Sequence, residues 1–543
     1  MFMTKLSQPS YASVPMPEKN VSHKVIKGNE YVYHIGQGYR NSKDQPTSHQ
    51  TTIGKYEKET GMLIPNDNYF RIYGRKPQPR ATALESIKNY GSYYLLKTIA
   101  REHQLETLLY RIFGDEAESI LMLAIYMTLE GNVLSNCEDW MEETLTGSDF
   151  LLSSQECSRI LNVIDEARRN EFFRTWVHIR QQEEYLAYDV TSISSYSKLN
   201  EDVEFGYNRD KEKLPQINLG MYYGETSKLP VYYRTYYGSI PDKAHLIAMM
   251  EGSEKIGVKN ARFVMDRGFF SKGNLIYLNN HTSGFIVGMP NGLLLSQEII
   301  LAYGEKIKSA RYDLGTDEVS GMAIERNDYG FRCNIHLMYS DEKMADEKHH
   351  FKAELRKWQV SIIKGLIPKE AEPFFRITKD KNDVVRSVEA DYEAIDAYMK
   401  GMGYFLVLST DFRKSTAEIL EIYRMKDVIE KSFDNIKNHL DMKRLRIHSA
   451  QAEEGKMFLA FLALILRTHV FNTTKDYIRK KRLSLDRIFF ELRKIKVAVY
   501  PSGVMMHNPL TKKQKDILAY FNKKEDDISE SLKHILKPGN FLK

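Results

Sequence analysis

The spacing of apolar residues changes along the chain and divides it into regions of different predicted structure. The first 80 residues contain short runs of strand-like alternation, KVIKGNEYVYHIG and HQTTIGKYE, separated by clusters of Gly, Pro, Asn and Asp. Beyond them, apolar positions recur every three to four residues, which is typical of helices. We therefore predict a small β-rich element with a linker over residues 1–80 and a helical region over residues 81–182.

Runs rich in Val, Ile and Tyr follow the helical region and predict strands. The first ends with EEYLAYD, and INLGMYYG and KLPVYYRTYYG after it predict an antiparallel meander. ARFVMD and GYFLVLST predict further strands. Asp266, which closes ARFVMD, and Glu430 are 164 positions apart, too many for a loop in a compact domain, so a folded insertion is expected between them. The predicted regions are a first core part over 183–290, a β-rich insertion over 291–400, a second core part over 401–475 and a basic helical C-terminal region over 476–543.

The segment EIYRMKDVIEKSFDNIKNHL predicts one amphipathic helix. At about 100° per residue, positions seven apart point within about 20° of the same direction. Tyr423, Glu430 and Lys437 are therefore predicted to lie along one stripe, with Lys426 at its border. This pattern alone also fits a solvated face that carries an ion pair.

Three carboxylates in these segments suit metal chemistry: Asp189, Asp266 and Glu430. Asp189 shares a predicted strand face with Tyr185 and Ala187, where a lone charge would be costly. Asp266 stands at a strand end, where a purely structural role is equally compatible with the pattern. Carboxylate oxygens bind hard cations such as Mg²⁺, and two such ions about 3.5–4 Å apart stabilise the attacking and leaving oxygens of a phosphodiester. We predict a two-metal phosphoryl-transfer site.

Charge is unevenly distributed, although the net charge is only +6. Residues 1–80 carry +6, residues 441–500 carry +8 and residues 501–543 carry +3, which leaves −11 on residues 81–440. Basic ends around an acidic middle suit a protein that binds phosphates with its flanks and cations at its centre. Ordinary solvated helix faces explain the distribution equally well.

The number of cysteines and the hydropathy of the chain predict its cellular compartment. Cys137, Cys157 and Cys333 show no metal-ligand spacing, so neither a disulfide framework nor a zinc site is expected. The apolar run GKMFLAFLALILRTHVF is bracketed by Lys456 and Arg467 and predicts a core helix rather than a membrane span. The N-terminus lacks the apolar stretch of a signal peptide. We expect a cytoplasmic protein without a membrane partner.

The helix segment resembles the DDE transposases of bacterial insertion sequences, in the group whose RNase H-like core carries a β-strand insertion. That group has a signature of tyrosine, arginine three positions later, glutamate four after that and lysine seven further on. Tyr423, Lys426, Glu430 and Lys437 match it, with lysine in place of the arginine and Arg424 nearby as a substitute. DRGFFS, after the second aspartate, and KNHLDMKRLRIHSAQAEEGKMFLAFLALIL are also similar to this family.

The resemblance implies an α/β fold with an RNase H-like catalytic core and a function in DNA transposition. Two Mg²⁺ ions, with Mn²⁺ able to substitute, would be held by Asp189, Asp266 and Glu430 for cleavage of the element ends and transfer of the freed 3′-OH to target DNA. It further implies a hairpin intermediate with a flipped base, a homodimer on double-stranded DNA, and a bacterial, nucleoid-associated location in the cytoplasm. The residues implied to hold DNA phosphates are Tyr423, Arg424, Lys426 and Lys437.

Trp358 is the only tryptophan of the predicted insertion. One hypothesis is that it stacks on the flipped base, because an aromatic platform offsets the cost of unstacking; the alternative is that it covers the core of the insertion. Two other functions remain open: an RNase H-like nuclease or resolvase without strand transfer, and an inactive DNA-binding relative of a transposase. The length of the insertion argues against the first, and the presence of every carboxylate argues against the second.

Overall fold

A computed structural model describes residues 11–535 except 12, 59, 75–85, 181–183, 198–202, 316–317, 382–383, 446–448 and 501–503. The chain divides into two compact units. One unit comprises Met1–Lys88, Val497–Asn508 and Ser531–Lys543, and the other comprises Asn89–Lys496 and Pro509–Glu530.

The first unit begins with an antiparallel sheet whose strands follow sequence order. Its elements are β1 (Val21–Ile26), β2 (Asn29–Arg40), β3 (Pro46–Glu57), β4 (Met62–Pro65) and the helix α1 (Asp67–Tyr73). Alternation along the strands turns Val32, Ile53 and Leu63 inward against Tyr69 of α1. The predicted small β-rich element is therefore present, and most of its predicted linker lies outside the described residues.

The described part of the predicted helical region, from residue 86 onward, begins with a short strand, β5 (Ser86–Asn89). Helices then follow in close succession: α2 (Gly91–Glu102), α3 (Leu105–Phe113), α4 (Ala117–Glu130), α5 (Cys137–Glu143), α6 (Ser154–Val163) and α7 (Glu166–Arg180). Residues 117–128 of α4 are almost all buried, which fits the apolar run ILMLAIYM. The helical prediction for this region is confirmed.

The central sheet starts with an antiparallel meander and continues with parallel strands. Its first elements are β6 (Tyr185–Ser195), β7 (Gln216–Gly224), β8 (Pro230–Tyr237), α8 (Asp242–Lys255), β9 (Arg262–Met265), α9 (Lys272–His281) and β10 (Gly284–Met289). The spatial order is β8-β7-β6-β9-β10. β6, β7 and β8 pair antiparallel, whereas β6, β9 and β10 pair parallel. The predicted mixed α/β fold with a meander is confirmed.

The segment predicted as an insertion is divided between the sheet and a separate helix-rich piece. Its elements are α10 (Leu294–Ile307), β11 (Val319–Arg326), β12 (Cys333–Ser340), α11 (Asp341–Ile363), β13 (Phe375–Lys379), β14 (Val385–Ala390), α12 (Tyr392–Met399) and then β15 (Tyr404–Ser409). β12 is buried along nearly its whole length and pairs with β15, so β11 and β12 extend the central sheet. The separate piece consists of α11, the β13–β14 hairpin and α12, packed around Phe351 and Phe374.

After β15 the chain returns to helices and ends in a mixed region. The elements are α13 (Thr416–Tyr423), α14 (Lys426–Asp434), a π-helical turn (Asn435–His439), β16 (Arg444–Leu445), α15 (Ala450–Lys481), α16 (Leu485–Arg493), β17 (Lys496–Val499), β18 (Met505–His507), α17 (Lys512–Ala519) and α18 (Glu525–Ile535). β16 pairs with β6, and β17 lies between β18 and β5. The predicted helical C-terminal region thus also contains strands.

The helix α15 is long and apolar enough to cross a membrane by length and composition, but 78% of its most apolar window is buried inside the protein. The bracketing residues Lys456 and Arg467 are buried too. Arg467 donates to Asn435 Oδ1 at 3.0 Å and pairs with Asp486, which satisfies its charge inside the protein. α15 is therefore a core helix, as its interrupted apolar run predicts.

Candidate active site

Asp189 and Asp266 are brought together by the pairing of two parallel strands. The register of β6 and β9 places Tyr188 opposite Met265, and the two aspartates are the next residues on each strand. Neighbouring strands lie about 4.8 Å apart, so the two carboxylates emerge side by side. Asp189 is not at the end of its strand as predicted: β6 continues to Ser195 because β7 and β16 pair with that extension.

The environment of Asp189 disfavours its negative charge. Burial is the main cause that raises its pKa to about 6; Arg209 and the Val190 amide act in the lowering direction, and the charges of Asp266 and Glu430 add smaller upward effects. Arg209 Nη1 lies 3.7 Å from Asp189 Oδ1, and the Val190 amide donates to the same oxygen at 2.7 Å. A cation bound next to such a carboxylate would stabilise its ionised form. The influence of Asp266 and Glu430 indicates that both carboxylates lie within electrostatic reach of Asp189.

Asp266 follows β9 at the N-cap position of a short 3₁₀ turn, and its side chain makes no capping bond there but receives donors from the glutamate helix region. The Tyr423 hydroxyl donates to Asp266 Oδ1 at 3.2 Å, and Lys426 Nζ lies 3.5 Å from the same oxygen. Burial and the charge of Asp266 raise the pKa of Tyr423, so its hydroxyl stays a neutral donor. These two contacts tie the region of α13 and α14 to the second aspartate.

Gly288 of β10 makes room for the Tyr423 ring. A Cβ at this position would collide with the Tyr423 hydroxyl and lie 3.0 Å from the amide nitrogen of Arg267. No local pattern singles out this glycine, because the residue that it accommodates is distant along the chain. Its absence of a side chain is what permits Tyr423 to reach Asp266.

The predicted single helix carrying the signature residues is interrupted. α13 ends at Tyr423 and α14 begins at Lys426, with Arg424 in the turn between them. The Met425 amide donates to the carbonyl of Ile422, an i→i−3 bond of the 3₁₀ type. Residues three apart eclipse one another in such a turn, so Tyr423 and Lys426 can face Asp266 together. The prediction of one continuous helical stripe was wrong in this respect.

Lys437 lies beyond α14 in the π-helical turn and has a different partner. Its Nζ pairs with Asp210 Oδ2 at 2.7 Å, and the side chain is only 10% exposed. Asp210 and Arg209 belong to the connection between β6 and β7, which carries no motif that would mark it as part of a site. The charged run NRDKEK at residues 208–213 was visible in the sequence, but its partners were not.

Glu430 is exposed on α14. Within the described part of the chain, no group of three or more His, Cys, Asp and Glu side chains could hold a metal ion. Instead, Arg209 and Lys426 approach the two aspartates. The donor types fit a hard cation, because Asp189, Asp266 and Glu430 all offer carboxylate oxygens. Coordination by all three requires these side chains to draw closer, and their role as metal ligands stays a prediction.

Trp358 lies in α11 and covers the core of the separate piece. Its ring stacks on Phe374 with centroids 6.0 Å apart and an interplanar angle of 6°. The ring is only partly buried within that cluster. This placement agrees with the alternative of a core-covering tryptophan, and stacking on a flipped base stays a prediction.

Comparison with known proteins gives one family. The profile of the family described as "Transposase DDE domain" matches residues 180–466, more than half of the chain. A search of curated proteins found no match. Among solved structures, a cryo-EM structure of a piggyBac transposase synaptic complex with hairpin DNA aligns with 83% of this chain and 83% of its own chain, at 9% identity and a TM-score of 0.35. That likeness is too distant to support an inference about this chain.

Proposed function

The chain belongs to the transposase DDE-domain family, and on that premise we propose that it cuts DNA at the ends of a bacterial insertion sequence and joins those ends to target DNA. The observation that carries this proposal is the emergence of Asp189 and Asp266 side by side from parallel strands, with Glu430 close enough to affect the pKa of Asp189. The strand order β8-β7-β6-β9-β10, with three antiparallel strands and then parallel ones, supports an RNase H-like core.

Asp189, Asp266 and Glu430 serve as the metal-binding carboxylates in this proposal. These carboxylates would hold two Mg²⁺ ions, or Mn²⁺ in their place, and the bound ions would lower the pKa of the attacking water and stabilise the charge on the departing 3′ oxygen. The protein's own contribution is to hold the two aspartates at a fixed separation by the β6–β9 pairing. The 3₁₀ turn between α13 and α14 sets the position of the glutamate helix against them.

Tyr423, Arg424, Lys426 and Lys437 hold phosphates of the element end. Hydroxyl and cationic donors neutralise and orient backbone oxygens, and Tyr423 and Lys426 already converge on one carboxylate oxygen of Asp266. These contacts support a place for a phosphate beside the aspartates. The proposal further includes a hairpin intermediate, stacking of Trp358 on a flipped base, a dimer on DNA, and a cytoplasmic, nucleoid-associated location.

The test uses purified protein, a duplex bearing the element's end, Mg²⁺ and a target plasmid. Glu430→Gln keeps the size of the side chain but removes its charge, and cleavage should disappear. Glu421→Gln is the matched control, because Glu421 is exposed on the neighbouring helix α13. It should cleave like the wild type.

The outcomes separate the alternatives. Cleavage at the end followed by capture in the plasmid supports the transposase. Cleavage without capture would indicate a nuclease or resolvase instead. Binding without cleavage under any divalent ion would indicate an inactive relative, and cleavage retained in Glu430→Gln would refute the assigned role of that residue.

A further inference from the structure

The connection between β6 and β7 carries two acidic residues that are paired with cations following the glutamate helix. Asp210 accepts from Lys437 at 2.7 Å. Glu212 Oε1 accepts from Arg444 Nη2 at 2.7 Å and lies 3.5 Å from Lys443 Nζ. Hydrogen bonding to Arg444 is the largest of the effects that lower the pKa of Glu212 to about 2, so this pair is ionised. We call residues 208–212 the acidic loop, and Lys437, Lys443 and Arg444 the basic strip.

The acidic loop is anchored beside the strand of the first aspartate. Asn208 donates to Ser194 Oγ and the Arg209 amide donates to Ser192 Oγ, both at 3.1 Å. Arg444 stands opposite Ser194 in the pairing of β16 with β6. At about 3.3 Å per residue, Arg444 therefore lies about 17 Å from Asp189 along β6. Each strand of a duplex carries one phosphate per about 3.4 Å of axis, so this distance corresponds to about five base pairs.

We propose that the basic strip binds backbone phosphates of duplex DNA, and that Asp210 and Glu212 occupy the strip as displaceable stand-ins for those phosphates in the DNA-free protein. The inference rests on the proposed function and deepens it by extending the DNA contact surface to Lys443 and Arg444. Carboxylates and phosphates accept from lysine and arginine in the same charge-assisted manner, so exchanging one for the other keeps the cations paired.

Exposure and charge balance favour exchange over a permanent bond. The Asp210 side chain is 27% exposed, so water can solvate its carboxylate after separation. Three cations face two carboxylates, which leaves one positive charge to attract DNA. Lys437 is only 10% exposed and can meet a phosphate only when the acidic loop moves.

The test measures binding of a duplex by fluorescence anisotropy in EDTA at about 0.15 M salt, where charges beyond about 8 Å are screened. The double variant Asp210→Asn/Glu212→Gln should bind with a Kd about five- to tenfold lower than the wild type, because DNA no longer displaces two partly exposed ion pairs. Further replacement of Arg444 by Gln in that double variant should reduce the slope of log K against log salt by about one.

The matched control is Glu325→Gln/Asp328→Asn, which removes the same charge from ion pairs with Arg332 and Arg326. These residues lie on or beside β11, five strands from β6 in the sheet, at about 4.8 Å per strand. The Kd of this control variant for the duplex should differ from that of the wild type by less than about twofold, because charges this far from the strip are screened.

Affinity of the double variant no greater than that of the control would overturn the proposal. If the double variant fails to fold, Asp210→Asn alone is measured in the same way, and an unchanged Kd overturns the stand-in role of Asp210. Failure here is separable from failure of the proposed function, since these measurements need no cleavage. If the wild type cleaves in a Glu430-dependent way but the double variant binds DNA no more tightly, only the proposal about the basic strip and its acidic stand-ins is refuted. The proposed function then still stands.

Discussion

Replacing Gly288 by alanine tests whether Tyr423 is held against Asp266 by the packing of β10. The φ angle of Gly288 lies outside the left-handed region, so alanine adds no backbone strain. Its Cβ would collide with the Tyr423 hydroxyl and lie 3.1 Å from the ring carbon Cζ. The severest collision is with the hydroxyl oxygen that donates to Asp266, and the Arg267 amide nitrogen at 3.0 Å is a second, milder contact.

The expected cost follows from two limits. Overpacking a buried site costs about 1–3 kcal/mol, and moving the hydroxyl away loses a hydrogen bond to a carboxylate, worth about 1.5–3 kcal/mol. We expect Gly288→Ala to lower the free energy of unfolding by about 2 kcal/mol, since the structure will adopt whichever of these two responses costs less free energy. In a Tyr423→Phe background the colliding atom is gone, and the same change should cost less than about 1 kcal/mol.

The assay is a double-mutant cycle read as thermal midpoints. A cost of about 2 kcal/mol corresponds to a shift of about 2 °C, because the entropy of unfolding is about 2.1 cal/mol/K per residue and the unit that contains Gly288 has roughly 430 residues. Gly292→Ala is the control, because nothing lies within 4 Å of a Cβ at that position. Equal shifts of the midpoint from Gly288→Ala in the wild-type and Tyr423→Phe backgrounds would refute the proposed contact.

Other expectations concern stability. Burial lowers the pKa of His336 to about 4, so the unfolded chain binds a proton before the folded protein does as the pH falls below 6.5. The free energy of unfolding should therefore drop by up to about 3 kcal/mol between pH 6.5 and 4. His336→Gln should lose less of its thermal midpoint over the same pH range. Asp486→Ala leaves the buried Arg467 without its carboxylate partner and should cost about 3 kcal/mol by thermal unfolding, whereas Asp476→Ala, from an exposed pair with Arg479, should cost less than about 0.5 kcal/mol. Equal costs would contradict this reasoning. Gly455→Ala should lower the midpoint, because its Cβ would collide with the carbonyl oxygen of Leu161 where α15 crosses α6.

Local patterns in the sequence predicted most of the elements of the fold. INLGMYYG and KLPVYYRTYYG became β7 and β8, because alternation and β-branched or aromatic content depend only on neighbouring residues. The position of β12 in the central sheet could not be predicted from local patterns. CNIHLMYS reads as a strand, but its pairing with β15 joins segments separated by a folded piece, and no local signal specifies that partner.

The candidate site shows the same division. Asp189 and Asp266 were found because each follows an apolar run, and the pairing of β6 with β9 brings them together. The break after Tyr423 contains neither glycine nor proline, so the sequence predicted a continuous helix. It coincides with contacts from Tyr423 and Lys426 to Asp266, 157 and 160 positions away along the chain. Contacts over such separations are fixed by the tertiary fold.

The most direct measurement of the central claim is the position of Mn²⁺, located by anomalous scattering in crystals of the protein bound to its end DNA. The account predicts ions in contact with carboxylate oxygens of Asp189 and Asp266, with Glu430 completing the coordination and a DNA phosphate beside them. Ions bound elsewhere, or a Glu430 carboxylate outside coordination distance when DNA is in place, would contradict it.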